Sequence, residues 1–224
     1  METATWLASV ALSKDESVIA EWESLTRGQH AAVLLPAIRA LLKDASVTLA
    51  DIDAVAVSVG PGSFTGLRVG LSVAKGLAFA RKIPVVAVPT LEALAYAALP
   101  AEEPILTVLD ARKGEVYAAG YHPAGKVLQP WLPEVLLPFE ELVSKVTHPC
   151  VVIGDAVEAY GALFRERLGD QVRVLPFPEW APRARIVASL AGERLRQGHA
   201  LGDPPEEPHY LRPAEAQVKQ GRTA

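Results

Sequence analysis

The chain has 224 residues, 50% of them hydrophobic and 21% charged, which suits one large domain or two small lobes. A formal net charge of −4, with no basic block or tail, leaves no electrostatic footprint for nucleic acid. The single cysteine, Cys150, excludes an internal disulfide and a thiolate metal cage, fits a reducing cytoplasm, and reads as a small core hydrophobe. Residues 1–27 carry acids and no long apolar block, unlike a signal peptide. The run 69–80 is interrupted by Lys75 and bounded by Arg68 and Arg81, too short and too charged to span a bilayer. A soluble protein with no membrane role is expected.

In chain order, residues 7–12 and 17–23 read as two strands joined by the polar turn Ser13-Lys14-Asp15-Glu16. Residues 30–43 show helical spacing, with Val33, Leu34, Ile38, Leu41 and Leu42 near one face and Pro36 marking a kink or a shifted start. A short turn at 49–52 precedes a β-branched run, 53–59, suited to a buried parallel strand. A helix at 66–80 and a strand at 83–88 complete a strand–loop–helix–strand unit with a right-handed crossover. Residues 91–99 read as a helix, and Pro100 and Pro104 as a hinge-like break. Residues 105–109 and 115–121 read as strands flanking a turn that holds Asp110, Arg112 and, at its end, Glu115. The apolar run 127–137, broken by Pro130 and Pro133, is at best an edge strand. A helix at 139–146, a strand at 150–153, a helix at 157–168, a strand at 172–175 and an amphipathic helix at 185–196 follow. The fold class is therefore α/β, with mixed sheets flanked by helices. The expected division is a first lobe over 1–100, with the helix at about 183–198 packing back on it. A smaller second lobe spans 101–182, and 199–224 form an irregular tail.

The turn Gly60-Pro61-Gly62-Ser63-Phe64-Thr65-Gly66 lies between a strand and a helix. It is not a P-loop, because Leu67 and Arg68 stand where lysine and Ser or Thr are required. Its glycines are spaced G-x-G-x-x-x-G, a poor dinucleotide fingerprint, and Glu92 is too far away to be the paired acid. Free N–H groups at the helix start would still suit an anion, with Ser63 and Thr65 as possible caps. Equally, the glycines do no more than permit positive φ. In the helix that follows, Gly66, Gly70 and Ala74 recur every four residues, so one face is nearly bare backbone. That face takes either another part of the same chain or a partner.

GPGSFTGLRVGLSVAKGLA, residues 60–78, closely resembles the signature of the TsaB (YeaZ) family of bacterial tRNA threonylcarbamoyladenosine biosynthesis proteins. ETATWLASVAL at 2–12, DARKGEVYAA at 110–119 and PHYLRPAEAQ at 208–217 resemble three further family segments in the same order, and RGQHAAVLLP at 27–36 is a looser match. The resemblance implies a two-lobed actin-like, Hsp70-like ATPase (ribonuclease H-like) fold. It also implies a non-catalytic partner of TsaD, the subunit that transfers threonylcarbamoyl to the adenosine beside the tRNA anticodon. TsaE, a P-loop ATPase, joins them. ATP then belongs only to the TsaB–TsaD–TsaE assembly, with no cofactor of the chain's own, and tRNA is met only through the complex. The chain alone would form a homodimer. The partner interface implied by the resemblance comprises His30, Leu34 and Ile38 on one helix, and Gly66, Arg68, Gly70, Val73, Ala74 and Leu77 on the next.

TsaD resembles a metal enzyme with two histidines at i and i+4, a spacing that lets both share an ion. Here Leu34 occupies that position after His30, and His122, His148, His199 and His209 are scattered in expected loops, so no metal site is readable. His30 reads as a helix-start or surface residue. No Ser or Cys sits beside a plausible base. The family opens with a strand of the form ILAIDTAT. Here Met1 directly precedes Glu2, and the expected consequence is two exposed sheet edges. Glu2 stands in place of the family's Asp, which weakens a nucleotide site built on Glu2, Thr3 and Thr5. Asp110, Arg112 and Glu115 are expected to satisfy turn and inter-lobe contacts. Two other classes remain: a stand-alone nucleotide-binding ATPase, and a glycoprotease-like metallopeptidase.

Overall fold

A computed structural model describes residues 1–26, 28–99, 101–125, 127–177, 179–198 and 207–211. Arg27 of the looser motif, the Pro100 break, His199 and most of the expected tail, including 212–217 of the closing motif, lie outside them.

The first strands, β1 (Leu7–Lys14) and β2 (Ser17–Leu25), form the expected hairpin, closed by Asp15 and Glu16 with Asp15 at φ +55°. Helix α1 (His30–Asp44) runs through Pro36 without ending, so the Pro36 position forgoes one i→i−4 bond while the buried face of Leu34, Ala37, Ile38 and Leu41 holds the helix on the core. One 3₁₀ turn, Leu49–Asp51, leads to β3 (Val55–Ser58), helix α2 (Phe64–Arg81) and β4 (Val85–Val88), and β3 and β4 pair in parallel. Helix α3 (Thr90–Ala97) follows, then β5 (Ile105–Asp110), β6 (Glu115–Ala124) and β7 (Val127–Pro138). Helix α4 (Phe139–Lys145), β8 (Cys150–Ile153), α5 (Ala156–Leu168) and β9 (Val172–Val174) complete a five-stranded mixed sheet ordered β7-β6-β5-β8-β9. The proline-bearing β7 lies at its edge, where a missing N–H costs no ladder bond. His122, expected in a loop, lies within β6.

The two small sheets meet through the first two residues. The Met1 amine donates to the Ala56 carbonyl at 2.8 Å, and the Ser58 amide donates to Met1 O at 3.2 Å. Glu2 and Ser9 exchange reciprocal backbone bonds of 3.0 Å. Met1 and Glu2 thus pair with β3 on one side and β1 on the other, where the sequence alone implied two open edges.

Two cores sit on either side of a shared seam. Leu34, Leu41, Val57 and Leu71 pack over the small sheets, and Leu106, Leu142, Val152 and Phe164 pack under the large one. Between them α3 buries Leu91, Leu94 and Ala95 against Ile105, Leu109 and Ile153, and turns Ala93 toward Val86 and Val187. Helix α6 (Ala184–Arg196) returns to lie on β1, β3 and β4. Among the described residues no helix is long and apolar enough to cross a membrane.

Candidate functional site

The glycine turn is held from two directions. Gly60 has φ +118°, donates to Thr90 Oγ1 at 3.1 Å and accepts from the Thr90 amide at 2.8 Å. A Cβ on Gly60 would stand 2.6 Å from the His209 carbonyl oxygen, and one on Gly62 2.5 Å from Ala4 O. The Ser63 amide donates to Ala4 O at 2.7 Å, and the Ser63 hydroxyl caps α2 by accepting from the Gly66 amide at 3.2 Å. The amides of Gly60, Ser63 and Gly66 are therefore committed within the chain. Thr65, the other possible cap, lies inside the first turn of α2.

The small-residue face of α2 turns inward. A Cβ on Gly66 would collide with the Thr3 carbonyl oxygen, and one on Gly70 with Thr3 Oγ1. Ala74 is fully buried in the first core. The N-terminal segment, not a partner, uses the bare backbone. This corrects six positions expected at an interface: His30, Leu34, Ile38, Gly66, Gly70 and Ala74 are all buried. Arg68 is exposed, and Val73 and Leu77 are half-buried. His30 does start α1, but it is 3% exposed and not a surface residue. Its Nε2 lies 2.9 Å from Thr5 O and 3.2 Å from Thr26 Oγ1.

Between the sheets opens a cleft of about 830 Å³. One wall carries Thr5, His30 and the start of α2, the other Asp110, Arg112, Asp155 and Glu158, with Phe64 and Tyr210 also lining it. Of the three residues expected for nucleotide, Thr5 alone lines this space. Thr3 is pressed on α2, and Glu2 is fully buried behind it, with Oε1 accepting from the Ala4 amide at 2.5 Å. Among the described residues Glu2 Oε2, Thr3 Oγ1 and Ser58 Oγ have no hydrogen-bond partner of normal geometry, although the Ser58 hydroxyl is near enough to Glu2 to oppose the effect of burial on its carboxyl. Burial raises the Glu2 carboxyl to about 7.

On the opposite wall Asp110 accepts from the Arg112 amide at 2.8 Å and pairs with its guanidinium at 3.0 Å. Arg112, Lys113 and Gly114 all take positive φ to make this turn, and Glu115 closes it by donating its amide to Arg112 O at 3.1 Å. Asp155 Oδ1 accepts from the Asp110 amide at 2.9 Å. Burial, and then the neighbouring Asp110 charge, raise the Asp155 carboxyl to about 6 despite that bond. Sequence reasoning missed Asp155, Glu158 and Tyr210. Asp155 and Glu158 lie outside the motifs, Tyr210 lies within the closing one at 208–217, and no spacing rule brings the three to one cleft. Cys150 is buried in the second core, and desolvation lifts its thiol to about 12, too high for a nucleophile at neutral pH. Among the described residues no three His, Cys, Asp or Glu side chains gather as metal ligands.

Helices α1 and α2 pack on each other, and each leaves apolar side chains outward. Leu35 is 48% exposed and Phe79 is 88% exposed. Ala31, Ala32 and Pro36 are also exposed, and Val69 and Val73 are half-buried.

Comparison with known proteins gives this geometry its kin. Residues 24–220 match the family described as TsaD, tRNA N6-adenosine threonylcarbamoyltransferase. The chain is 30% identical to the tRNA threonylcarbamoyladenosine biosynthesis protein TsaB of Bacillus subtilis over 98% of its own length and 95% of that protein's. It is 40% identical to TsaB of Haemophilus influenzae, covering 95% of this chain and 92% of the relative. The solved structure of YeaZ from Pseudomonas aeruginosa superposes with a TM-score of 0.78 at 30% identity, covering 94% of this chain and 97% of the other. With likeness of this extent in both sequence and fold, the chain belongs to the TsaB (YeaZ) family.

Proposed function

We propose that this protein is a non-catalytic subunit in the synthesis of tRNA threonylcarbamoyladenosine, the modified adenosine beside the anticodon, and that it scaffolds and activates a TsaD-type transferase by pairing with it. The observation that carries this reading is the outward side of α1 and α2, where Phe79 is 88% exposed and Leu35 48%. Large apolar side chains left outward on two helices that pack together support a protein contact there. The contact residues are then Leu35, Arg68, Val69, Val73 and Phe79, in place of the inward-facing glycines. Kinship with proteins named for this modification supports the pathway. Two features favour a supporting role over a catalytic one: the turn's committed amides and the missing second histidine after His30.

On this reading the same face takes a second copy when no partner is present, so homodimer and mixed complex exclude each other. TsaE and ATP enter only with the assembly, tRNA is met through it, and the setting is the cytoplasm. The test is the mass of the chain by light scattering, alone and with the TsaD of the same organism. The expected result is a dimer that converts to a mixed complex. Phe79→Glu with Val73→Glu should weaken that complex by at least about ten-fold and leave the circular dichroism unchanged. A mass that does not respond to TsaD overturns the reading. ATP turnover by the chain alone would place catalysis here instead.

A further inference from the structure

The cleft between the sheets carries a different chemistry from a phosphate site, and no part of the partner reading uses it. We propose that it binds a small organic cation, a primary ammonium or guanidinium group, between His30, the Asp155 and Glu158 carboxylates and the Phe64–Tyr210 ring pair.

The first support is His30. A carbonyl oxygen only accepts, so the nitrogen 2.9 Å from Thr5 O must be Nε2–H. Burial lowers the imidazole's pKa, with the Thr5 contact opposing it, so the ring is neutral at pH 7. Nδ1 is then a bare lone pair. Among the described residues it has no hydrogen-bond partner, and the ring, 3% exposed, lines the cleft. An unpartnered acceptor on a ring that lines the cleft suits a ligand N–H and has nothing to offer a phosphate oxygen.

The second support is charge. The Arg112 guanidinium lines the cleft too, but it is paired with Asp110 at 3.0 Å and its side chain is 83% exposed. Asp155 and Glu158 also line that wall, and among the described residues neither forms an ion pair. Asp155 titrates high because burial, together with the Asp110 and Glu158 charges, outweighs the Asp110 amide bond and the Arg112 charge. An ammonium or guanidinium group would supply a further countercharge. A phosphate would add to the repulsion.

The third support is the ring pair. Phe64 and Tyr210 stack with centroids 5.2 Å apart, and both line the cleft. The pair already seats one guanidinium: Arg68 Cζ stands 3.9 Å from the Phe64 centroid, and Arg68 is not among the cleft residues. Aromatic faces beside carboxylates are what organic cations select.

The test is an NMR titration of the full ¹⁵N-labelled chain with butylamine and with butylguanidinium. Sodium phosphate, AMP and ionic-strength-matched sodium chloride are run in parallel. Saturable shifts are expected for one or both organic cations, at the His30 ring nitrogens and at the amides of Gly62, Ser63, Asp110 and Arg112. Asp155→Asn should weaken binding by about ten-fold and Glu158→Gln or Tyr210→Ala by about three-fold. All three should leave the unliganded spectrum otherwise folded. A capped Gly-Lys-Gly peptide separates the two sources of such a group. Binding at least as tight as butylamine's points to a side chain of another protein, and exclusion of the peptide points to a free amine. The inference is overturned if neither cation saturates, if sodium chloride reproduces the shifts, or if phosphate or AMP saturates in their place. Each of those results leaves pairing with TsaD unaffected, so the two readings fail separately.

Discussion

Glu2 sits where a carboxylate is costly. It is fully buried, one oxygen is unpartnered, and burial lifts its carboxyl from 4.5 to about 7. The raised value sets the sign of a pH effect. Between about 4.5 and 7 the folded chain holds a proton that the unfolded chain has released, so stability falls as pH rises through that window. The full loss, at most about 3 kcal/mol, is present above pH 7. The Met1 amine, lowered by burial to about 6, acts in the opposite sense between about 6 and 8. Glu2→Gln keeps an acceptor for the Ala4 amide and removes the titration. It should gain stability over the native chain as pH rises from 4.5 to 7 in urea melts, and a difference that does not change with pH would refute the assignment. The neighbouring contact is also testable. Gly70→Ala drives a methyl into Thr3 Oγ1 and should cost about 1–3 kcal/mol. In a Thr3→Ala background the nearest remaining Thr3 atom is Cβ at 3.5 Å, an ordinary contact, so the cost should fall by more than about 0.5 kcal/mol. Thr3→Ala itself removes a buried hydroxyl that has no partner among the described residues, and also a buried methyl, so it should cost no more than about 1 kcal/mol.

Among the elements, α2 shows what a sequence can and cannot announce. Its existence follows from the break at the glycine turn, the capping Ser63 and the long stretch without proline. Its start at Phe64 lies two residues before the helix expected at 66–80, because Phe64 and Thr65 look like loop beside so many glycines. Most other elements were legible for similar reasons, since β-branched runs such as Val55–Ser58 and the amphipathic Ala184–Arg196 carry their own period. The direction of the small-residue face was not legible. Gly66, Gly70 and Ala74 look the same whether a partner or Thr3 lies against them, and Thr3 belongs to an irregular segment some sixty residues earlier in the chain. Exposure of Phe79, one position off that stripe, carries no periodic signal at all. The cap was legible and gives a prediction at this scale. Ser63→Ala should cost about 1 kcal/mol and Ser63→Asp should restore most of it, since a carboxylate both accepts from the Gly66 amide and meets the positive end of the helix. Thermal melts of the two variants decide this, and equal melting points would mean that Ser63 does not hold the helix start.

At the scale of the whole molecule, three devices join the two halves, and their strengths differ. Helix α3 buries side chains on both sides of the seam, and α6, which follows the large sheet in the chain, packs back on the small sheets and is fixed to β4 and α3 by Arg194, which donates to Ala87 O at 2.5 Å and pairs with Glu92 at 2.6 Å. The third is the short segment 207–211. The His209 amide donates to Val59 O at 2.7 Å, and its ring lies 3.1 Å from Glu134 on β7. Tyr210 stacks on Phe64 and accepts from Arg68 Nε at 2.8 Å. The segment therefore touches the turn, α2 and the edge of the large sheet at once. Magnitudes indicate which contact matters. The His209–Glu134 pair is half exposed on the histidine side, and such pairs contribute at most about 1 kcal/mol. The ring stack adds about 0.5–1.5 kcal/mol beyond the area it buries. His209→Ala should therefore lower stability by less than about 1 kcal/mol, because its backbone bond to Val59 survives. Tyr210→Ala should cost more, about 1–2 kcal/mol. Hydrogen exchange separates the two effects by place: Tyr210→Ala should speed exchange at the start of α2, and His209→Ala at β7 around Glu134, while the α3 seam stays protected in both. If His209→Ala proved the more damaging, the charge pair and not the aromatic stack would be what ties this segment across the cleft.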